Sequence, residues 1–160
     1  MAMRKTVALV IALVLFALQA GAAGGQGFVK PGAGEKCPVC GMFVAKYPDW
    51  ACEVLFRDGS RAVFDGPKDL FRFLADMKAY APARTAADVD RVFVKDYYAV
   101  EPIDGRTAFY VLGSDTTGPM GRELVPFGRE ADAREFLKDH HGRKVLRFRE
   151  VTPSVLKELE

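Results

Sequence analysis

The same order of segments, two strands followed by a helix and a third strand, occurs twice along this chain and limits the fold more than any other feature. In the first copy, alternating apolar residues at 50–56 and 61–64 flank an Asp-Gly turn, which predicts a β-hairpin. A helix follows, with Asp65 as its expected N-terminal cap, and residues 91–98 are predicted to form the next strand. The apolar side chains at helical spacing are Leu70, Phe71, Leu74 and Met77.

The second copy starts with a strand at residues 107–112, a longer turn segment at 113–121 and a strand at 123–127. A helix at 129–139 and a strand at 144–151 complete it. We therefore predict an α+β protein, a tandem pair of ββαβ units with short antiparallel sheets and packed helices. The repeat units are expected at about residues 37–98 and 107–151, too few for a solenoid of stacked repeats.

The N-terminus has the three parts of a secretory signal peptide. Arg4 and Lys5 precede an apolar run at residues 7–18, and a small-residue Ala-Gly-Ala site follows. The run is shorter than the roughly 20 apolar residues that span a bilayer. Residues 1–22 are therefore predicted to be a signal peptide that directs the protein to the periplasm. No cysteine lies near the expected cleavage site, so a lipid anchor is not expected.

The predicted mature chain is a glycine-rich, flexible leader at residues 23–36 and one domain at residues 37–160. After the loss of Arg4 and Lys5, 21 basic residues face 21 acidic ones. This balance argues against a nucleic-acid partner. The chain also lacks the Gly-x-Ser-x-Gly, phosphate-loop and His-Glu-x-x-His motifs, so we do not expect an enzyme.

Residues 37–42, Cys-Pro-Val-Cys-Gly-Met, are the strongest candidate for a metal site. The two-residue spacing of Cys37 and Cys40 lets both sulfur atoms face one point, and Gly41 lets the backbone curl. Met42 adds a thioether. Thiolate and thioether ligands are soft and favour Cu(I), whereas Zn(II) sites seldom use methionine.

Two other interpretations of the cysteine pair stay open. It can form a structural disulfide, or it can be the redox couple of a thiol–disulfide oxidoreductase that acts on partner cysteines. Methionine separates these classes, because Met42 matters to a copper carrier and little to a redox couple. Cys52 lies inside the first predicted strand and is expected to be a core thiol.

Three further side chains are candidate ligands. Met120 lies in Gly-Pro-Met-Gly, a turn that can present a side chain outward. If the two units are related by approximate symmetry, this turn faces the cysteine loop, and Met120 completes the site. His140 and His141 follow the second helix, where a solvated position is usual and a ligand role is the alternative.

Several motifs together resemble the NosL family of nitrous oxide reductase accessory proteins, from about residue 35 to residue 151. They are the Cys-Pro-Val-Cys-Gly-Met segment, Trp50-Ala51, Phe64-Asp65 before an aromatic helix, Asp96-Tyr97, Ala108-Phe109-Tyr110-Val111, Gly-Pro-Met-Gly and a final Gly-x-x-Val-Leu-x-Phe strand.

The resemblance implies a periplasmic Cu(I)-binding chaperone that helps to load the copper centres of nitrous oxide reductase. It also implies two ββαβ units, an arrangement likened to organomercurial lyase. Cys40, Met42 and Met120 fall on the motif positions expected near the metal, and Cys37 is the next candidate. The expected partners are a copper-accepting enzyme, nitrous oxide reductase or a similar one, and a membrane-bound copper donor. Typical members carry a lipid-bearing cysteine, which this chain lacks.

Overall fold

The computed structural model of the protein describes residues 27–160. The predicted signal peptide at residues 1–22 lies outside the described residues. The helices and strands are β1 Cys52–Phe56, β2 Arg61–Phe64, α1 Pro67–Ala75, α2 Met77–Tyr80, β3 Val89–Lys95, β4 Pro102–Asp104, β5 Phe109–Gly118, β6 Gly121–Phe127, α3 Glu130–Asp139, β7 Lys144–Arg147 and α4 Pro153–Lys157.

These elements form two antiparallel sheets, one in each half of the described chain. The first sheet has the strand order β2-β1-β3-β4 and the second has the order β6-β5-β7. In each half a hairpin is followed by a helix, and the next strand then pairs with the first strand of that hairpin. β3 pairs with β1, and β7 pairs with β5. The predicted α+β fold with two ββαβ units in tandem is thereby confirmed.

The prediction of a long turn at residues 113–121 is wrong. β5 continues to Gly118, and Pro119 and Met120 alone connect it to β6, where Gly121 has a left-handed φ of +81°. The polar residues that resembled a loop form an irregular stretch of β5, between its pairs Leu112–Leu124 and Thr117–Arg122. A strand accommodates such an insertion as a bulge, and its polar side chains then signal a turn that does not exist.

Other elements also differ from the sequence prediction. The strand predicted at residues 91–98 is β3, Val89–Lys95. β4 was not predicted, and it is only three residues long at the edge of its sheet. β7 ends at Arg147, before the predicted end at residue 151, because the chain turns into a short 3₁₀ helix at Phe148. The Phe148 ring packs on Phe71 of α1 at a centroid distance of 5.1 Å.

Helix α1 joins the two halves, because it packs against β1 and β2 of its own sheet and against β6 of the other. Leu70, Phe71 and Phe73 on this helix are buried. The Phe71 ring meets the ring of Tyr110, on β5, at 5.0 Å. Residues 64–71 therefore lie where the two units meet, and the N-terminal end of α1 faces both the segment before β1 and the β5–β6 turn.

The segment before β1 contacts the first sheet. Val29 N donates to Glu53 Oε2 at 3.4 Å, and Arg61 Nη1 donates to Val29 O at 2.6 Å. The flexibility expected for residues 23–36 stays a prediction. None of the helices within residues 27–160 has the length and apolar character needed to cross a bilayer.

Candidate metal centre

The cysteine loop is closed by its own backbone. Gly41 N donates to Cys37 O at 2.9 Å, and Cys37 N donates to Met42 O at 2.9 Å. Gly41 makes this curl possible with a φ of +78°, a conformation that glycine adopts without steric cost. Lys36 and Phe43 pair as an isolated β-bridge at the base. Both cysteine side chains are consequently held on one turn.

The cysteine loop lies against the N-terminal end of α1. Cys40 Sγ donates to Asp65 Oδ1 at 3.2 Å, and Cys37 Sγ donates to Asp69 Oδ2 at 3.5 Å. The ligand atoms of the four side chains all lie within 4.8 Å of one another. We call Cys37, Cys40, Asp65 and Asp69 the thiol–carboxylate cluster. It is compact enough for a single metal ion to contact several of its members.

Burial leaves this cluster with negative charge that is only partly compensated. Cys37, Asp65 and Asp69 are at most 1% exposed, and Cys40 is half-buried. Arg72 Nη1 pairs with Asp69 Oδ1 at 3.2 Å. Asp65 Oδ2 is buried without any hydrogen-bond partner, and within residues 27–160 no cation forms a salt bridge with this carboxylate. Buried charges are normally paired or bound to metal, so a cation would compensate Asp65.

The same burial keeps the thiols protonated in the metal-free protein. Desolvation raises the pKa of Cys37 to about 11 and also raises the pKa of Cys40 above its ordinary value, with hydrogen bonds to Asp69 and Asp65 adding to the effect on Cys40. A metal that binds here must therefore displace thiol protons. In the metal-free protein these thiols donate hydrogen bonds to the carboxylates of Asp69 and Asp65.

The two predicted methionines occupy different surroundings. Met42 is half-buried, and its carbonyl closes the cysteine loop. Met120 is 41% exposed in the β5–β6 turn. Its carbonyl accepts from Lys68 Nζ at 2.7 Å, and Lys68 directly precedes Asp69 in α1. The structure thus brings the cysteine loop and the Met120 turn to the same end of one helix. A ligand role for either thioether stays a prediction.

A comparison with known proteins identifies the family. The NosL family model matches residues 29–156. The chain belongs to the NosL family. It is 29% identical over 125 residues to a protein of Stutzerimonas stutzeri named "Copper-binding lipoprotein NosL", and the match covers 78% of this chain. The chain spans 65% of that relative's length.

A solved structure of the family has the same fold. The crystal structure of the copper chaperone NosL from Shewanella denitrificans superposes with a TM-score of 0.68 and 28% sequence identity. The match covers 81% of this chain and 97% of the other. The fold predicted from the NosL resemblance is therefore confirmed.

Asp65 and Asp69 are the members of the cluster that the sequence prediction missed. Asp65 was expected to cap α1, and this is wrong: Gly66 is the N-cap residue, and the Asp65 carboxylate faces Cys40 instead. Two acidic residues close together at a helix start were the available signal in the sequence. In this NosL-family chain, Asp65 before the helix and Asp69 in its first turn both meet a loop that lies far earlier in the sequence.

The remaining candidates lie outside the cluster. Cys52 is fully buried in β1, where its thiol donates to Trp50 O at 3.2 Å, as expected for a core thiol. His140 hydrogen-bonds to Asp115 at 2.9 Å and stacks on Phe136 at a centroid distance of 4.1 Å. The one group of potential metal ligands found within residues 27–160 contains neither His140 nor His141.

Proposed function

We propose that this protein is a periplasmic Cu(I) metallochaperone that passes copper to a copper enzyme, with nitrous oxide reductase as the acceptor. The main support for this proposal is the thiol–carboxylate cluster, in which two thiols lie close to a buried carboxylate that lacks a compensating cation. The names of the two relatives, a copper-binding lipoprotein and a copper chaperone, support copper as the cargo. The predicted signal peptide supports the periplasmic location.

The ligand types favour the cuprous ion. Soft sulfur donors suit Cu(I), and a thioether is seldom a zinc ligand, while carboxylates prefer harder cations. Cys37, Cys40, Met42 and Met120 are accordingly the proposed ligands. Asp65 and Asp69 would act as hydrogen-bond acceptors and as negative charges that favour a cation at the sulfurs. A neutral thioether completes such a site without adding to the buried negative charge.

Transfer requires an open side to the site. Cys37 is buried, whereas Cys40 is half-buried and Met120 is exposed. Copper held by few soft ligands at such a rim leaves room for an incoming thiolate or thioether of the acceptor. Ligand exchange then moves the ion without a free intermediate. A closed four-coordinate site, the geometry of structural zinc, would hinder this exchange.

The thiol–disulfide oxidoreductase alternative is less consistent with the electrostatics. A redox-active cysteine attacks as the thiolate and is usually found where its pKa is lowered. Burial instead raises the pKa of Cys37 to about 11 and raises that of Cys40. The acidic neighbours Asp65 and Asp69 also disfavour a thiolate. A positively charged metal reverses both effects, which is why these thiols suit metal binding better than disulfide exchange.

An anaerobic Cu(I) titration of the reduced protein against a chromophoric chelator tests this function. We expect tight one-to-one binding, a large loss in Cys40→Ser and a further loss in a Met42→Leu, Met120→Leu double variant. Cys52→Ala and Met77→Leu are matched controls, because both residues are buried outside the cluster, and they should bind copper as the wild type does.

The outcomes separate the candidate functions. Binding that is unaffected by the methionine double variant would restrict the site to the cysteines. Absence of Cu(I) binding by the wild type would refute the carrier function and would make the reduction potential of the Cys37–Cys40 pair the next quantity to measure. Delivery is tested by incubating the copper-loaded protein with metal-free nitrous oxide reductase and following the appearance of its copper absorption.

A further inference from the structure

Two ionisable side chains are buried where the two units meet, although neither is a proposed ligand. Lys68 of α1 and Glu123 of β6 are each 2% exposed. Lysine and glutamate are almost never fully buried unless they are paired, because desolvation of a charge is costly. Apolar side chains could fill the same space at lower cost. The burial of both groups therefore needs an explanation, and their hydrogen bonds provide it.

The contacts run in both directions between α1 and the β5–β6 hairpin. Lys68 Nζ donates to two carbonyl oxygens, Met120 O at 2.7 Å and Arg122 O at 2.8 Å. In return, Glu123 Oε1 accepts from Lys68 N at 2.6 Å and from Leu124 N at 2.8 Å. Glu123 thereby caps the start of α1, which has no capping side chain of its own. We call this pair the Lys68–Glu123 clasp.

The glycines around the clasp leave room for it. A Cβ on Gly66 would lie 2.5 Å from Glu123 Oε2, and a Cβ on Gly118 would lie 3.0 Å from Glu123 Cγ. Gly66 has an extended φ of −171°, so it is needed for space and not for its backbone conformation. Pro119 Cδ lies 3.9 Å from the same Cβ position of Gly66. The hairpin turn therefore rests on the residue that follows Asp65.

The clasp holds the part of the second unit that carries Met120. The turn contains only Pro119 and Met120, and Met120 is 41% exposed, so its own side chain provides little packing to fix it. Lys68 Nζ donates hydrogen bonds to the carbonyl oxygens of Met120 and Arg122, on either side of Gly121. In the sequence, Lys68 lies between Asp65 and Asp69. One lysine thus ties the turn to the helix that carries Asp69 and directly follows Asp65, the two carboxylates of the thiol–carboxylate cluster.

On the basis of the proposed function, we infer that Lys68 and Glu123 are positioning residues that hold the Met120 thioether at the copper site. They do not touch the metal. They fix the distance between a ligand from the second unit and the cysteines of the first, so they act on copper only through Met120. Partners that orient metal ligands typically contribute about 10–100-fold to affinity.

A double-mutant cycle on Cu(I) affinity tests this inference. Lys68→Leu removes the donors without adding a sulfur atom, and it should weaken binding about as much as Met120→Leu, by about 10–100-fold. In the Lys68→Leu, Met120→Leu double variant no further loss is expected, because Lys68 acts through Met120. Glu123→Gln keeps the accepting oxygen and should retain affinity, whereas Glu123→Leu should lose it.

Two further variants control for general loss of stability. Tyr110→Phe removes a buried hydroxyl that donates to Gly105 O at 2.6 Å. This hydrogen bond is not part of the cluster, so the variant should leave copper affinity unchanged. Gly66→Ala crowds Glu123 without removing a charge and should weaken binding even if Lys68→Leu fails to fold. Gly34→Ala, whose Cβ meets no atom within 4 Å, is its matched control.

An NMR measurement on the metal-free protein supplies a readout that does not depend on copper. In the Gly66→Ala and Lys68→Leu proteins the Met120 methyl signal should broaden or shift, with little change in the signal of Met77. Equal copper affinities of wild type and clasp variants, or additive losses in the cycle, would overturn the positioning role alone. A wild type that binds no Cu(I) would overturn the proposed function, and the inference with it.

Discussion

Replacing Glu123 by glutamine should make the stability of the protein much less dependent on pH. The Glu123 carboxyl is 2% exposed, and burial raises its pKa from the ordinary 4.5 to about 8, against the smaller opposing effects of its backbone hydrogen bonds and of Lys68. The folded protein therefore holds this proton at pH values where the unfolded chain has released it. The free energy of unfolding should then fall as the pH rises from the unfolded to the folded pKa.

The expected size follows from proton linkage. One extra proton bound by the folded state lowers the free energy of unfolding by at most about 1.4 kcal/mol per pH unit, or about 3 kcal/mol between roughly pH 5 and pH 7.5. Glu123→Gln keeps the oxygen that accepts from Lys68 N and Leu124 N but cannot titrate. This variant should lose most of that slope and be the more stable protein toward the upper end of the range.

Guanidinium unfolding of the reduced, metal-free protein at several pH values measures the difference. Glu135→Gln is the matched control, because Glu135 lies exposed on α3 and its replacement should leave the wild-type slope unchanged. Parallel pH profiles for wild type and Glu123→Gln would refute the reasoning, since they would mean that the buried carboxyl is ionised throughout.

Three further predictions concern copper and the core. Because burial raises the pKa of Cys37 to about 11 and also raises the pKa of Cys40, Cu(I) must displace two protons, and affinity should rise by up to about 100-fold per pH unit between roughly pH 6 and 8; a flat competition profile would contradict this. Asp65→Asn should stabilise the metal-free protein by about 1–3 kcal/mol in denaturant unfolding and weaken Cu(I) binding, since it removes a buried, uncompensated charge; a less stable variant would show that the charge is already compensated. Phe71→Ala should lower the free energy of unfolding by about 3–5 kcal/mol, and Val100→Ala, at an exposed position, should change it little.

The fold could be predicted from the sequence because its signals are local. The hairpin of β1 and β2 follows from alternating residues around an Asp-Gly turn, and β2 has the predicted bounds. The inward face of α1 is also largely as predicted, with Leu70 and Phe71 buried. Phe73 is buried as well and was missed, because α1 is enclosed by elements of both units and so has more than one buried side.

The candidate site could be predicted only in part. The two-residue spacing of Cys37 and Cys40 indicates a metal or redox site from the sequence alone. Asp65, by contrast, contacts Cys40 from 25 positions away in the sequence. An aspartate before a helix is usually a cap, so local rules assign it the wrong partner. Lys68 and Glu123 are buried against the preference of their residue types, and they are 55 positions apart. Such pairs become visible only when the two units pack together.

The most direct test of the account is the copper-edge X-ray absorption spectrum of the Cu(I)-loaded protein. We predict a first shell of sulfur neighbours that loses one scatterer in Met120→Leu and is unchanged in Met77→Leu. A shell of only oxygen or nitrogen neighbours would contradict the assignment of copper to the cysteine loop. A full sulfur shell in Met120→Leu would instead exclude the second unit from the metal site.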